Sequence, residues 1–143
     1  MISHNDEAVL IVRCMDKRLP GAVVEYLRRT GRLGHCYDPA RAGAAKGLLD
    51  PEKPGLAESI WNDIAIGVDK GGVKQIILCH HTDCAAYGGS RQFSSFEEEC
   101  KFQIEEMRRA RELILAKYPD IKISLVLAKI IGQSGRVEFE EKE

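Results

Sequence analysis

Three side chains that can bind a transition metal follow two apolar runs of the sequence. Cys14 comes shortly after the run Ala8–Val12, and His81 and Cys84 come shortly after the run Val73–Leu78. A spacing of three residues lets the imidazole of His81 and the thiolate of Cys84 reach one ion at roughly 2.0–2.3 Å. We therefore predict that Cys14, His81 and Cys84 together bind Zn²⁺.

The two apolar runs are predicted to be neighbouring strands of a parallel sheet. Both are short and rich in β-branched residues, which suits strands buried on both faces. A helix is predicted between them over Leu56–Asp69, because apolar residues repeat every four positions there. Such a strand–helix–strand unit brings the carboxyl ends of its strands to one edge of the sheet. The predicted fold class is α/β: a three-layer sandwich with a mostly parallel central sheet of four to five strands and helices on both faces.

The rest of the chain is predicted to complete one domain over residues 1–143. The further elements are a helix from Pro20 to about Gly31, a brief strand at His35–Tyr37, a long helix from Ser94 or Ser95 to Lys117, a strand over Ile121–Ile131, an edge strand over Arg136–Phe139 and a frayed acidic tail, Glu140–Glu143. The apolar side of the long helix is assigned to Phe96, Cys100, Ile104, Met107, Ala110, Leu113 and Ile114. Small residues over Arg41–Gly47 either approach a ligand closely or form a surface loop.

Composition excludes several classes of function. The formal net charge is −1, from 21 basic and 22 acidic residues, so charge gives no case for binding nucleic acid or an anionic membrane. No apolar run approaches the ~20 residues that span a bilayer. The polar stretch Met1–Glu7 predicts no signal peptide. The five cysteines are therefore expected to be reduced thiols or metal ligands, and the cytoplasm is the expected location.

Asp16 and Arg18 add possible catalytic chemistry beside Cys14. A set of two cysteines and one histidine leaves one zinc position open, where a water can lose a proton near neutral pH. If the chain stays extended, Asp16 and Arg18 point the same way as Cys14. Asp16 can then orient that water or bind the zinc itself, and a two-pronged pair with Arg18 would hold it off the metal. The alternative interpretation is an ordinary surface ion pair.

These motifs resemble the β-class carbonic anhydrases. The likeness is carried by Cys14–Leu19, Val73–Leu78 and His81–Cys84, together with their separation along the chain. The resemblance implies zinc on Cys14, His81 and Cys84, an Asp16–Arg18 catalytic dyad, and reversible hydration of carbon dioxide to bicarbonate. It also implies a homodimer or higher homo-oligomer, with each pocket near the subunit interface.

The chain departs from the family pattern at two glycine positions, which carry His80 and Ala85. Two alternatives to the hydratase therefore stay open: a zinc-binding protein with a sensing role, and a hydrolase of a related small molecule such as carbon disulfide. A thiol enzyme that uses Cys14 or Cys84 as its nucleophile is a further alternative.

Other residues near the motifs have two interpretations each. His80 is predicted to be a packed or hydrogen-bonded histidine, since it points away from His81 in a strand; a proton shuttle or substitute ligand is the alternative. Cys79 is predicted to be core. Cys36 could approach the site, and Tyr87 could line the pocket or lie under the turn that follows Cys84.

Overall fold

A five-stranded sheet forms the centre of the computed structural model, which describes residues 8–143; the N-terminal stretch 1–7 lies outside the described residues. The strand order is β2-β1-β3-β4-β5, with bounds β1 Val9–Arg13, β2 Cys36–Tyr37, β3 Gln75–His81, β4 Lys122–Ile131 and β5 Arg136–Glu141. The helices are α1 Pro20–Arg29, α2 Lys46–Leu49, α3 Pro54–Ala65 and α4 Phe96–Lys117. Strands β2, β1, β3 and β4 are parallel, and β5 runs antiparallel to β4. The predicted α/β class with a mostly parallel sheet is confirmed.

Helices cover both faces of the sheet, because the central strands are apolar on both sides. Leu10 and Leu78 belong to the face that packs against α2, α3 and α4. Ile11 and Ile77 belong to the opposite face, which packs against Val23 and its neighbours on α1. Burying both faces is the usual situation of parallel strands, which explains their continuous apolar runs.

Strand β3 extends three residues beyond the predicted end at Leu78. His80 and His81 pair with Leu127 and Ala128 of β4, so the polar histidines continue the strand. Helix α3 ends at Ala65, and a π-helical turn over Ile66–Lys70 follows it directly. The two together cover the helix that was predicted over Leu56–Asp69. His81 therefore occupies the last residue of a strand and is held by sheet hydrogen bonds.

The small residues of Arg41–Gly47 lie against the sheet and do not form a simple surface loop. Ala44 and Ala45 are almost fully buried, and α2 begins directly after them. The backbone N–H of Gly43 donates a hydrogen bond to Cys14 Sγ at 3.4 Å. The alternative of a close approach to the site is thus the one that the structure adopts.

The buried side of α4 differs from the predicted one. Phe96 and Leu113 are 48% and 43% exposed, so their assignment to the apolar side was wrong. The residues that face inward are Glu99, Gln103, Glu106, Met107, Ala110 and Ile114. This face is apolar in its second half only, which is why a search for apolar periodicity misplaced it.

The acidic tail is not frayed, contrary to the prediction. Strand β5 continues to Glu141, and backbone hydrogen bonds join Leu125 to Lys142 and Glu143. The Glu143 carboxylate also accepts hydrogen bonds from Arg108 and Arg111 of α4. The tail is ordered because β4 offers it an unpaired edge and α4 offers it two guanidinium groups.

None of the helices within residues 8–143 combines the length and the apolar character that crossing a membrane requires.

We expect Gly47→Ala to destabilise the protein by about 1 kcal/mol, because the new methyl group has no room. A Cβ at this position would lie 2.8 Å from Ile60 Cδ1 and 3.0 Å from Leu56 Cβ. Gly55→Ala is the matched control, since apart from its chain neighbours and the backbone of its own helix no heavy atom of the described chain lies within 4 Å of a Cβ there. Urea unfolding measures both, and a Gly47→Ala protein as stable as the control would contradict this packing.

Candidate metal centre

Cys14, His81 and Cys84 meet at the point where the strand order reverses. From β1 the sheet continues to β2 on one side and to β3 on the other, and ligands commonly bind at the carboxyl ends of strands at such a point. Cys14 follows β1, His81 ends β3, and Cys84 is three residues further on. Their ligand atoms all lie within 4.8 Å of one another, and all three residues are buried. The structure therefore brings the three predicted ligands together.

The two thiol sulfurs fit a tetrahedral ion. Cys14 Sγ and Cys84 Sγ are 3.9 Å apart, and two sulfurs at the usual zinc distance on a tetrahedron would be about 3.8 Å apart. A hydrogen bond from the Cys84 thiol lowers the pKa of Cys14 well below its usual value, against the opposing effect of burial. The same hydrogen bond raises the pKa of Cys84, because its proton stabilises the neighbouring thiolate. Two thiols this close, one of them favoured as the thiolate, form a set of soft ligands that suits a divalent cation such as zinc.

The imidazole of His81 has the tautomer that a metal ligand needs. His81 Nδ1 lies 2.7 Å from the backbone oxygen of Thr82. Since a carbonyl oxygen only accepts, Nδ1 carries a proton, and in the neutral ring the lone pair is then on Nε2. Among residues 8–143, Nε2 has no hydrogen-bond partner, although His81 is only 1% exposed. A buried nitrogen without a partner, close to two thiols, is chemically suited to a metal ion.

The carboxylate of Asp16 lies beside this cluster and is held by Arg18. Arg18 Nε donates to Asp16 Oδ1 at 3.0 Å, and Arg18 Nη2 donates to Asp16 Oδ2 at 2.8 Å. The backbone N–H of Arg18 also donates to Asp16 Oδ1 at 2.8 Å. These hydrogen bonds lower the pKa of Asp16 to about 2. Asp16 Oδ2 is also 3.9 Å from His81 Nε2, so the carboxylate borders the position of an ion.

The extended chain expected after Cys14 is not formed. Residues 17–18 form a turn, in which the backbone N–H of Leu19 donates to the backbone oxygen of Asp16. A short acidic side chain readily accepts a hydrogen bond from a backbone N–H two residues further on, and this local bond competes with strand geometry. Asp16 and Arg18 are therefore brought together by a turn and not by strand alternation.

Four polar residues around the site were not anticipated. Asp83 accepts a hydrogen bond from Arg18 Nη1 at 3.1 Å. Three buried residues of α4 contact the region from the other side: Glu99 accepts from the Asp83 N–H, Gln103 lies 2.8 Å from His80 Nδ1, and Glu106 accepts from the Tyr87 hydroxyl. Their spacing of four and three residues matches one helix face, but polar residues at that spacing ordinarily indicate a solvated face.

The secondary candidates have clear positions. His80 is hydrogen-bonded to Gln103 and only 2% exposed, as the packed interpretation predicts. Burial lowers the pKa of His80 to about 4. Cys79 is fully buried, and burial raises the pKa of Cys79 and of Cys36 to about 12. Cys36 lies in β2, outside the cluster of three ligands. Tyr87 lines the inner side of the cluster.

The two sides of the cluster differ in accessibility. On the inner side, the space bordered by His80, Tyr87 and Gln103 is too small for a water molecule. On the outer side, an open cleft of about 510 Å³ reaches Cys14. Its lining consists of Cys14, Met15, Asp16, Lys17, Arg18, Ala42, Ala85 and Ala86. A small molecule can therefore approach the cluster past Asp16 and Arg18.

The His80 ring is expected to stay neutral well below the usual histidine range. Its lowered pKa means that the unfolded chain takes up a proton at His80 between about pH 6.5 and 4, whereas the folded chain does not. The contribution of His80 to the free energy of unfolding is therefore fully present above pH 6.5 and is lost as the pH falls towards 4. In ¹⁵N NMR at pH 5.5, the His80 nitrogens should show a neutral imidazole; an imidazolium signal there would contradict the burial argument.

A model of the family described as "Putative carbonic anhydrase" matches residues 4–138 of this chain. A protein of Rickettsia bellii described as uncharacterized is 26% identical over 131 residues, which cover 90% of this chain and 80% of that protein. An uncharacterized protein of Rickettsia conorii is 26% identical over 137 residues, covering 94% of this chain and 72% of that protein.

Solved structures with the same fold include two β-carbonic anhydrases. CafA of Aspergillus fumigatus aligns with a TM-score of 0.61 at 15% identity, over 94% of this chain and 76% of that one. A tetrameric β-carbonic anhydrase of Sordaria macrospora aligns with a TM-score of 0.58 at 15% identity, over 96% of this chain and 83% of that one. At this identity the structures establish the shared fold, while the family model identifies the family. The chain belongs to the family described as "Putative carbonic anhydrase".

Proposed function

We propose that the protein is a zinc-dependent lyase that hydrates carbon dioxide to bicarbonate. The observation that carries the proposal is the juxtaposition of three buried ligand atoms with a carboxylate whose two oxygens are both bound by one arginine. Membership of the carbonic anhydrase-like family supports the same reaction class.

Cys14, His81 and Cys84 are the residues that would hold zinc. Zinc would lower the pKa of a water at its open position from ~16 towards ~7, which supplies a nucleophile at neutral pH. The chain prepares this site in two ways. The Thr82 carbonyl fixes the orientation of the His81 ring, and the Gly43 N–H stabilises negative charge on Cys14.

Asp16 and Arg18 are the proposed catalytic dyad. Because its pKa is about 2, Asp16 is a carboxylate throughout the neutral range and can only accept hydrogen bonds. It would therefore accept a hydrogen bond from a water at the open position and so orient that water. Arg18 holds both carboxylate oxygens in place. The alanines of the cleft, Ala42, Ala85 and Ala86, offer an apolar wall that suits a small uncharged substrate such as carbon dioxide.

We further propose that the protein assembles with copies of itself. The Sordaria macrospora neighbour is described as tetrameric, which supports a homodimer or a higher homo-oligomer for this chain. Met15, at the mouth of the cleft, is 61% exposed, and a subunit interface beside the cleft would cover it. We also propose that residues 1–143 form one domain and that the protein is cytoplasmic.

A zinc-binding protein without hydratase activity is the second candidate. Asp16 Oδ2 is only 3.9 Å from His81 Nε2, so this carboxylate is close enough to compete for the open position of an ion. A site closed in this way would bind zinc without turnover. Zinc-loaded protein that hydrates carbon dioxide no faster than buffer does would indicate such a closed site.

Purified protein should contain about one zinc per chain, and Cys84→Ala should lose it, because two remaining ligands hold zinc far more weakly than three. Metal analysis by mass spectrometry measures both. Cys79→Ala is the matched control, since Cys79 is a buried thiol outside the ligand cluster. Zinc retained by the Cys84 variant, or lost equally by both variants, would refute this ligand set.

In stopped-flow hydration of carbon dioxide, Asp16→Asn should lower kcat/KM by about a hundredfold with zinc retained, because the acceptor that orients the nucleophile is lost. Glu138→Gln, which removes an exposed carboxylate paired with Arg136 on β5, should leave the rate unchanged. Zinc-loaded wild-type protein without activity would reject the hydratase. Activity that disappears on thiol alkylation but survives chelation would instead favour the thiol enzyme.

A further inference from the structure

We propose that Asp83 is a positioning residue that holds Arg18 on Asp16 and thereby keeps the Asp16 carboxylate off the metal. The inference rests on the metal centre of the proposed function. It concerns how the fourth position of the metal is kept open, so it can be tested without any turnover.

Arg18 is held by two acidic residues, and only one of them belongs to the proposed dyad. Its Nε and Nη2 donate to Asp16, as described above, while Nη1 donates to Asp83 Oδ2 at 3.1 Å and Nη2 also donates to the Asp83 backbone oxygen at 3.1 Å. Four of the five N–H groups of the guanidinium are thus engaged. Asp83 contacts the edge of the guanidinium that Asp16 leaves free, so the two acidic residues together fix its plane.

Asp83 is itself firmly anchored. Its backbone has φ of +58°, a conformation that aspartate tolerates better than most residues. Its N–H donates to Glu99 Oε2 at 2.6 Å, and its Oδ1 accepts from the N–H of Ser90 at 2.9 Å. The Ser90 hydroxyl donates to the same Glu99 carboxylate. Glu99 is 1% exposed, so a buried group on α4 fixes the loop that carries Asp83.

This anchoring distinguishes the Asp83–Arg18 contact from an ordinary surface ion pair. The side chain of Asp83 is 47% exposed, and a free pair at that exposure would contribute little. Here the loop already holds the Asp83 side chain and carbonyl in place, so little further conformational entropy is lost when Arg18 binds. Arg18 therefore meets a prearranged acceptor site.

The Asp83–Arg18 contact determines which group the Asp16 carboxylate binds. With Arg18 fixed by Asp83, Asp16 keeps both oxygens on the guanidinium. Without the Asp83 charge, Arg18, whose side chain is 30% exposed, can turn towards solvent and release Asp16. The nearest alternative partner of Asp16 Oδ2 is an ion held by His81 Nε2, only 3.9 Å away from it. Loss of the Asp83 contact should therefore close the metal site with Asp16.

Asp83→Asn isolates this effect. The asparagine oxygen can still accept from Ser90, and asparagine also tolerates a positive φ, so the loop is preserved. Its amide nitrogen would then face Arg18 Nη1, where a donor meets a donor and the ionic contact is lost. Glu138→Gln serves as the control, because it neutralises a carboxylate that is 55% exposed and paired with an arginine on β5.

The readout is thiocyanate binding to protein reconstituted with Co²⁺, followed by the visible absorption of the metal. We expect wild type and Glu138→Gln to bind the anion equally, and Asp83→Asn to bind it about tenfold more weakly, since Asp16 occupies the open position. Equal binding by Asp83→Asn and wild type would overturn the proposal.

A double variant separates closure by Asp16 from damage to the loop. In Asp83→Asn/Asp16→Ala no carboxylate remains to close the site, so thiocyanate affinity should return to that of Asp16→Ala alone. Affinity that stays tenfold weaker would assign the effect to the loop and reject the proposal. Normal spectra and anion binding with no carbon dioxide hydration would reject the proposed hydratase while leaving the role of Asp83 standing. A wild-type protein that takes up no Co²⁺ would overturn the metal centre, and the role of Asp83 with it.

Discussion

The close approach of two buried sulfurs is the constraint on which the site depends. Cys14 and Cys84 are 3.9 Å apart, and two thiolates at that distance, away from water, would repel each other strongly. A hydrogen bond between the two sulfurs and one backbone N–H, from Gly43, directed at Cys14 ease this repulsion. Gly43 has φ of +80°, and a Cβ there would lie 3.1 Å from Ala86 Cβ. The small residues around Gly43 are thus explained by the approach of a backbone donor to a thiolate.

Helix α4 supports the site with its first half and the core with its second half. Glu99, Gln103 and Glu106 each hold a different segment that borders the ligands, while Met107, Ala110 and Ile114 continue the same face as core. A buried carboxylate such as Glu99 would ordinarily be unfavourable. Its position in the first turn of the helix, where the helix dipole favours negative charge, and its bonds to Asp83 and Ser90 offset that cost.

The sequence was sufficient to predict those features that depend on local apolar pattern and on the order of strands. The runs that became β1 and β3 identified the sheet, and the residues that follow them identified the cluster of possible ligands. The contacts of α4 were not predictable in this way, because Glu99 and Asp83 are 16 residues apart and nothing local relates them. The turn after Cys14 was not predicted for a different reason. The Asp16 side chain accepts a hydrogen bond from the backbone N–H of Arg18, and this local bond stabilises a turn where an extended chain was expected.

The asymmetry of the cluster limits what could react there. Its inner side admits no water, so any fourth ligand of a metal has to come from the outer cleft, past Asp16. Ala85, which stands where the family resemblance implies glycine, adds a methyl group to the wall of this cleft. An apolar wall of this kind suits a small uncharged molecule. The polar side of the same cleft is the carboxylate of Asp16, which is bound by Arg18, and Arg18 is in turn bound by Asp83.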